Sequence, residues 1–145
     1  MHTYEADIVT WSKEQAGLLR SGRFDLLDIE HIAEEIEDVG KSEQRELANR
    51  MALLLTHLLK WQFQPGRQTA SWQRTINEQR NGIKRRLIKS PGLQPVLTDP
   101  DWQAEIWADA VAQAASETGW ADFPEACEWS MLGEVLLDGW LPASR

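Results

Sequence analysis

His31, Glu35 and Asp38 stand three, four and seven residues apart, so a helix carries them on one flank. An imidazole and carboxylates facing inward from neighbouring helices are how bundles hold metal centres. His57, further along the chain, is a fourth candidate ligand. The pattern falls short of such a centre, because no Glu-x-x-His repeat and no His-Glu-x-x-His pair occurs. The plainer reading makes Glu34, Glu35 and Asp38 the solvated face of a helix, and no cofactor is expected.

A second group of side chains is basic. Residues 60–89 hold eight bases (Lys60, Arg67, Arg74, Arg80, Lys84, Arg85, Arg86 and Lys89) against one acid, Glu78. A basic helix with aromatics beside it, here Trp61, Phe63 and Trp72, is a form that nucleic-acid binding takes. The candidates for it are Arg74, Lys84, Arg85, Arg86 and Lys89. On a helical wheel with Ile76 at the origin, Arg80 lies at about 40°, Lys84 at about 80°, Arg85 at about 180° and Arg86 at about −80°. The bases thus surround the apolar stripe, and the plainer reading pairs them with the acidic second and fifth helices. The chain as a whole carries a net charge of −8, and its two ends, 1–59 and 90–145, are both acidic. That balance opposes long-range attraction to nucleic acid or to an anionic membrane.

Other chemistry is sparse. Gln79 falls inside an apolar stripe, where an amide needs partners and can fix helix register or line a pocket. Cys127 has acids nearby and no base, so nothing local lowers its pKa. No nucleophile elbow, phosphate-binding glycine loop or dinucleotide fingerprint occurs. Eight tryptophans stand against one tyrosine. Trp11, Trp61, Trp72, Trp102 and Trp107 lie on or beside apolar stripes and read as core. Trp120, Trp129 and Trp140, if exposed, would mark a partner surface.

These groups need helices to hold them. Helical periodicity dominates and strand signals are nearly absent. A first helix is expected over Trp11–Ser21, capped by Thr10 and ended by Gly22, with Trp11, Leu18 and Leu19 inward. A second, Ile29–Val39, would bury Ile29, Ile32, Ala33 and Ile36 and close at Gly40. The third, Ser42 to Gln64, is the spine: Leu47, Met51, Leu54, Leu58 and Trp61 form one seam, and Ala48, Ala52, Leu55 and Leu59 the next. Pro65 and Gly66 stop it. A fourth runs over Trp72–Lys89 behind a Ser71 cap, with Trp72, Ile76, Ile83 and Leu87 inward. Leu93, Val96 and Leu97 anchor the following loop. A fifth starts at Pro100 behind Asp99 and ends near Thr118, its inner positions being Trp102, Ile106, Ala110 and Ala114. Ser130 caps a short last helix, Met131–Asp138.

The fold class is therefore all-α, a single-domain bundle of five to six helices with a long central helix, covering residues 1–145. A chain of 145 residues holds a core without staples, and one cysteine closes no internal disulfide. No secretory signal is visible at the N-terminus, and the apolar run Met51–Leu59 is too short to span a membrane. A cytoplasmic protein is the expectation.

Three stretches together resemble a bacterial family known as domain of unknown function twenty-nine. They are Asp28–Gly40, reading DIEHIAEEIEDVG; His57-Leu58-Leu59-Lys60-Trp61 with Gln64-Pro65; and Ser71-Trp72, Ile76, Gln79-Arg80, Ser90-Pro91 and Leu93. Gly92 departs from the pattern, where a serine is expected. The resemblance implies a helical fold, a bacterial source and no assigned activity. It singles out His57, Lys60, Trp61, Gln64, Trp72, Gln79 and Arg80 as a candidate functional surface. The wheel puts His57, Lys60 and Gln64 together on the polar flank of the third helix. The function expected is a non-catalytic protein-interaction or self-associating module, with a protein partner or a second copy and no membrane. The alternatives are a nucleic-acid-binding accessory using residues 60–89 and a metal-dependent enzyme using the polar residues of the second and third helices.

Overall fold

The structure, a computed structural model, describes all residues from Met1 to Arg145 and contains helices and turns but no strand. It is all-α, with one helix far longer than the rest. Contacts divide it into two compact units, Met1–Ser42 and Glu43–Arg145.

In the first unit, α1 covers Ile8–Arg20. It begins a turn earlier than expected, because Asp7 rather than Thr10 is its cap. The Asp7 carboxylate accepts from the Thr10 backbone N–H at 3.0 Å and from the Thr10 hydroxyl at 2.7 Å. A charged acceptor on extended backbone outcompetes the hydroxyl for the free amides. Gly22 ends the helix as expected, at φ +75°. Leu19, expected inward, is exposed, and α1 buries only Trp11 and Gln15.

The next helix, α2, runs unbroken from Ile29 to Phe63, 35 residues or about 52 Å. The expected break at Gly40 and restart at Ser42 do not occur. Gly40 keeps helical backbone because runs of helix formers flank it, Glu34, Glu35 and Glu37 before and Glu43–Ala48 after, and a glycine mid-helix costs only about 1 kcal/mol against alanine. Glu37 and Lys41, four apart with the acid first, add to the same tendency. The face expected to be buried, Ile29, Ile32, Ala33 and Ile36, is largely open. Ile29 is 69% exposed, Ile36 67% and Val39 68%. The reason is local: Tyr4 and Trp11 lie on the Asp28, His31 and Glu35 flank of the helix, and the isoleucines face elsewhere.

The second unit holds the core. Leu47, Met51, Leu54, Leu55, Leu58 and Leu59 are fully buried along α2, as the two seams require. The third helix, α3, covers Ala70–Lys89, and Thr69, not Ser71, caps it by accepting from the Trp72 amide. Ile76, Ile83 and Leu87 point inward, and the turns at Pro91–Thr98 dock Leu93 and Leu97. The fourth helix, α4, covers Pro100–Thr118 behind Asp99 and ends at Gly119, φ +73°. Its buried Ala110 and Ala114 let α2 come close, and the Thr56 hydroxyl donates to the Ala110 carbonyl at 3.4 Å. The expected last helix shrinks to one wide turn, Met131–Val135, capped by Ser130. Beyond it the bonds tighten to three-residue turns, Leu137 donating to the Glu134 carbonyl and Trp140 to the Leu137 carbonyl, and Gly139 at φ +78° turns the chain away. Trp129 bridges Trp107 and Trp140 edge to face at 5.5 Å each, so two of the three C-terminal tryptophans are packed while Trp120 stays 43% exposed.

Candidate functional site

Three of the metal candidates, His31, Glu35 and His57, are engaged otherwise. His31 shares one ring nitrogen with Asp28 at 2.7 Å and the other with Glu5 at 3.0 Å. The Tyr4 ring stacks on it at 4.2 Å, and the Tyr4 hydroxyl donates to Glu35. Trp11 donates its indole N–H to Asp28 at 3.0 Å. Asp38 is exposed, and the His57 ring donates to the Leu53 carbonyl at 3.0 Å. No group of three or more His, Cys, Asp or Glu converges to hold a metal ion. The interactions leave their mark on titration. The hydrogen bond that His31 donates to the Asp28 carboxylate raises the His31 pKa, and the same contact lowers that of Asp28. The hydrogen bond to Glu35 pushes Tyr4 up to about 12.

The surface singled out on α2 and α3 comes together only in part. Lys60 pairs with Glu117 of α4 at 2.8 Å and sits over the Trp72 ring at 4.8 Å. Gln113 supports Glu117 at 2.9 Å. His57 stands in the field of both; its pKa is lowered by burial first and by Lys60 next. Trp61 is half-buried against the core, and its carbonyl accepts from Gln68. Gln64 makes backbone bonds only. Gln79 is not buried as its stripe position suggested, and it accepts from Arg50 at 3.4 Å. Arg80 is 1% exposed, donating to the Val135 carbonyl at 2.8 Å and the Trp140 carbonyl at 2.6 Å. It ties the C-terminal segment to α3, which is a structural task.

The nucleic-acid candidates separate. Lys84 pairs with Asp138 at 2.6 Å, and Arg74 is exposed without an acidic partner. Arg85, Arg86 and Lys89 line one cleft of about 410 Å³ together with Arg50 and Gly82. The sequence reading missed Arg50 and Gly82; a glycine inside a helical run was their only signal. Arg86 pairs with Glu43 at 3.1 Å and Glu46 at 3.4 Å, acids of the stretch expected as the third helix and not of the second or fifth. Cys127 is half-buried beside the Trp129 carbonyl, and burial raises its pKa, so it is a poor nucleophile.

The largest departure from expectation is apolar. Ile29, Ile32, Ile36 and Val39 recur at spacings of 3, 4 and 3, the pattern of a coiled-coil seam. The flanking positions are Asp28, Ala33, Glu35, Gly40 and Ser42; the two charged ones are engaged within the unit, Asp28 with His31 and Trp11 and Glu35 with Tyr4. Glu30, Glu34, Glu37 and Asp38 stand off the seam. The core cluster includes no residue of the first unit, which exposes Ile8, Val9, Leu19, Phe24 and Leu26 as well.

No helix is long and apolar enough to cross a membrane. No curated protein and no solved structure matches the chain. The family model described as Domain of unknown function DUF29 matches residues 3–141 of the 145. The chain belongs to the DUF29 family.

Proposed function

We propose that the protein is a non-catalytic interaction module that pairs with a second copy of itself through the first half of α2. The seam Ile29, Ile32, Ile36, Val39, exposed at all but the half-buried Ile32, carries the reading. The net negative charge of each unit opposes pairing, and the seam lessens that cost by holding Glu30, Glu34, Glu37 and Asp38 off the contact line, while the small Ala33 and Gly40 permit close approach.

The energetics suit a weak dimer. Full burial of an Ile or Val contributes about 1.5–3 kcal/mol, so covering the exposed two-thirds of Ile29, Ile36 and Val39 yields about 1–2 kcal/mol each. Six such side chains in a dimer supply about 6–12 kcal/mol, against an association cost of about 4–15 kcal/mol. The upper part of that gain against the lower part of that cost leaves about 4–7 kcal/mol, a dissociation constant of about 10–1000 µM. Cys127, half-buried and unpaired, suits a reducing compartment, so the proposal includes a cytoplasmic setting.

Light scattering on concentrated protein tests it. The mass should rise from 16.6 kDa toward twice that with concentration. The doubly substituted Ile29→Ser, Ile36→Ser chain should stay at 16.6 kDa with unchanged helicity. A native mass that is constant with concentration overturns the reading.

A further inference from the structure

We propose that the cleft between α2 and α3 is an anion site for a small phosphorylated ligand. On α3, Gly82, Arg85, Arg86 and Lys89 fall at 0, 3, 4 and 7, one face of the helix. Gly82 is buried and has no side chain there, and the Arg50 guanidinium of α2 lies over the space. A Cβ at Gly82 would stand 3.0 Å from Arg50 Nη1 and 3.9 Å from Arg85 Nη2. Two guanidinium groups from different helices therefore converge on one point, held there by a missing methyl.

The charge is not balanced within the cleft. Arg50 uses its Nε on Glu46 at 3.1 Å, and Arg86 is shared between Glu43 and Glu46. Arg85 and Lys89 have no carboxylate partner. Four cations against two carboxylates leave a local excess of two positive charges in a chain of net −8. Bases in the last turn of α3 also balance its C-terminal carbonyls, which accounts for Arg86 and Lys89. It does not account for Arg50 and Arg85 over Gly82. Planar guanidinium groups facing one space match phosphate oxygens, which they bind in pairs.

The surroundings select a small ligand over a nucleic-acid strand. No aromatic side chain lines the cleft to stack a base, and about 410 Å³ holds a group of pyrophosphate size. The acidic segments on either side of residues 60–89 repel a long polyanion.

Titration calorimetry in low salt, with sodium pyrophosphate as probe and a short oligothymidylate beside it, tests the site. One pyrophosphate should bind per chain, and the affinity should fall about tenfold in Arg85→Ala/Lys89→Ala, whose side chains are exposed. Gly82→Ala, which displaces the Arg50 guanidinium, should weaken binding severalfold without lowering helicity or the melting temperature, because alanine is the better helix former. Three results each overturn the proposal: no heat from pyrophosphate at millimolar concentration, equal affinity in the double variant, or binding of the oligothymidylate alone.

Discussion

Replacing Arg80 with methionine should loosen the C-terminal segment of the second unit more than any other single change on α3. Arg80 is 1% exposed, and its guanidinium reaches two carbonyls, those of Val135 and Trp140. A hydrogen bond from a charged donor contributes about 1.5–3 kcal/mol, so two amount to about 3–6 kcal/mol. Methionine keeps most of the volume and removes the cost of holding a charge out of water, which returns part of that loss. The net expectation is about 2–4 kcal/mol of destabilisation. Arg80→Lys should lose roughly half as much, because a single ammonium reaches one carbonyl well. Urea unfolding gives the total. Hydrogen exchange locates it: the amides of Glu134 to Leu137, and that of Arg145 on the Gln62 carbonyl, should lose protection before those of α2. A loss under about 1 kcal/mol in Arg80→Met, or exchange that rises evenly through the unit, would refute the idea that Arg80 is the tie.

Tyr4, His31 and His57 make two spectroscopic predictions. The single tyrosine should ionise at about 12, and Glu35→Gln should bring that midpoint down toward 10, read from phenolate absorbance. In an NMR titration the His31 midpoint should lie above 6.5 and the His57 midpoint below it. The signs carry to stability. The His31 contribution is full at low pH and is lost as pH rises through its raised pKa, whereas burial of His57 costs stability as pH falls, because the unfolded imidazole takes its proton first. Midpoints in the reverse order would contradict both environments.

Much of the fold could be read from the sequence because the second unit follows simple rules. The seams of α2 and the inner positions Ile106, Ala110 and Ala114 of α4 are periodic apolar positions that pack against each other, and Asp99, Gly22 and Gly119 are strong end signals. The errors share one cause. Gly40 and Thr10 carry local stop and start propensities, but a run of helix formers carried α2 past Gly40 and Asp7 displaced Thr10. Periodicity at Ile29–Val39 correctly showed an apolar face, but period says nothing about which molecule covers it. The cleft was missed for a related reason. A wheel of α3 alone scatters its bases, and Arg50 joins Arg85 only through the packing of α2 against Gly82.

The claim that the first half of α2 is a self-pairing seam is tested most directly by following methyl NMR signals of the native chain on dilution. The account predicts that signals of Ile29, Ile32, Ile36 and Val39 move together, with a midpoint at about 10–1000 µM, while those of Ile88, Leu132 and Leu137, exposed apolar residues of the second unit, stay fixed. Signals independent of concentration, or shifts confined to the second unit, would contradict it.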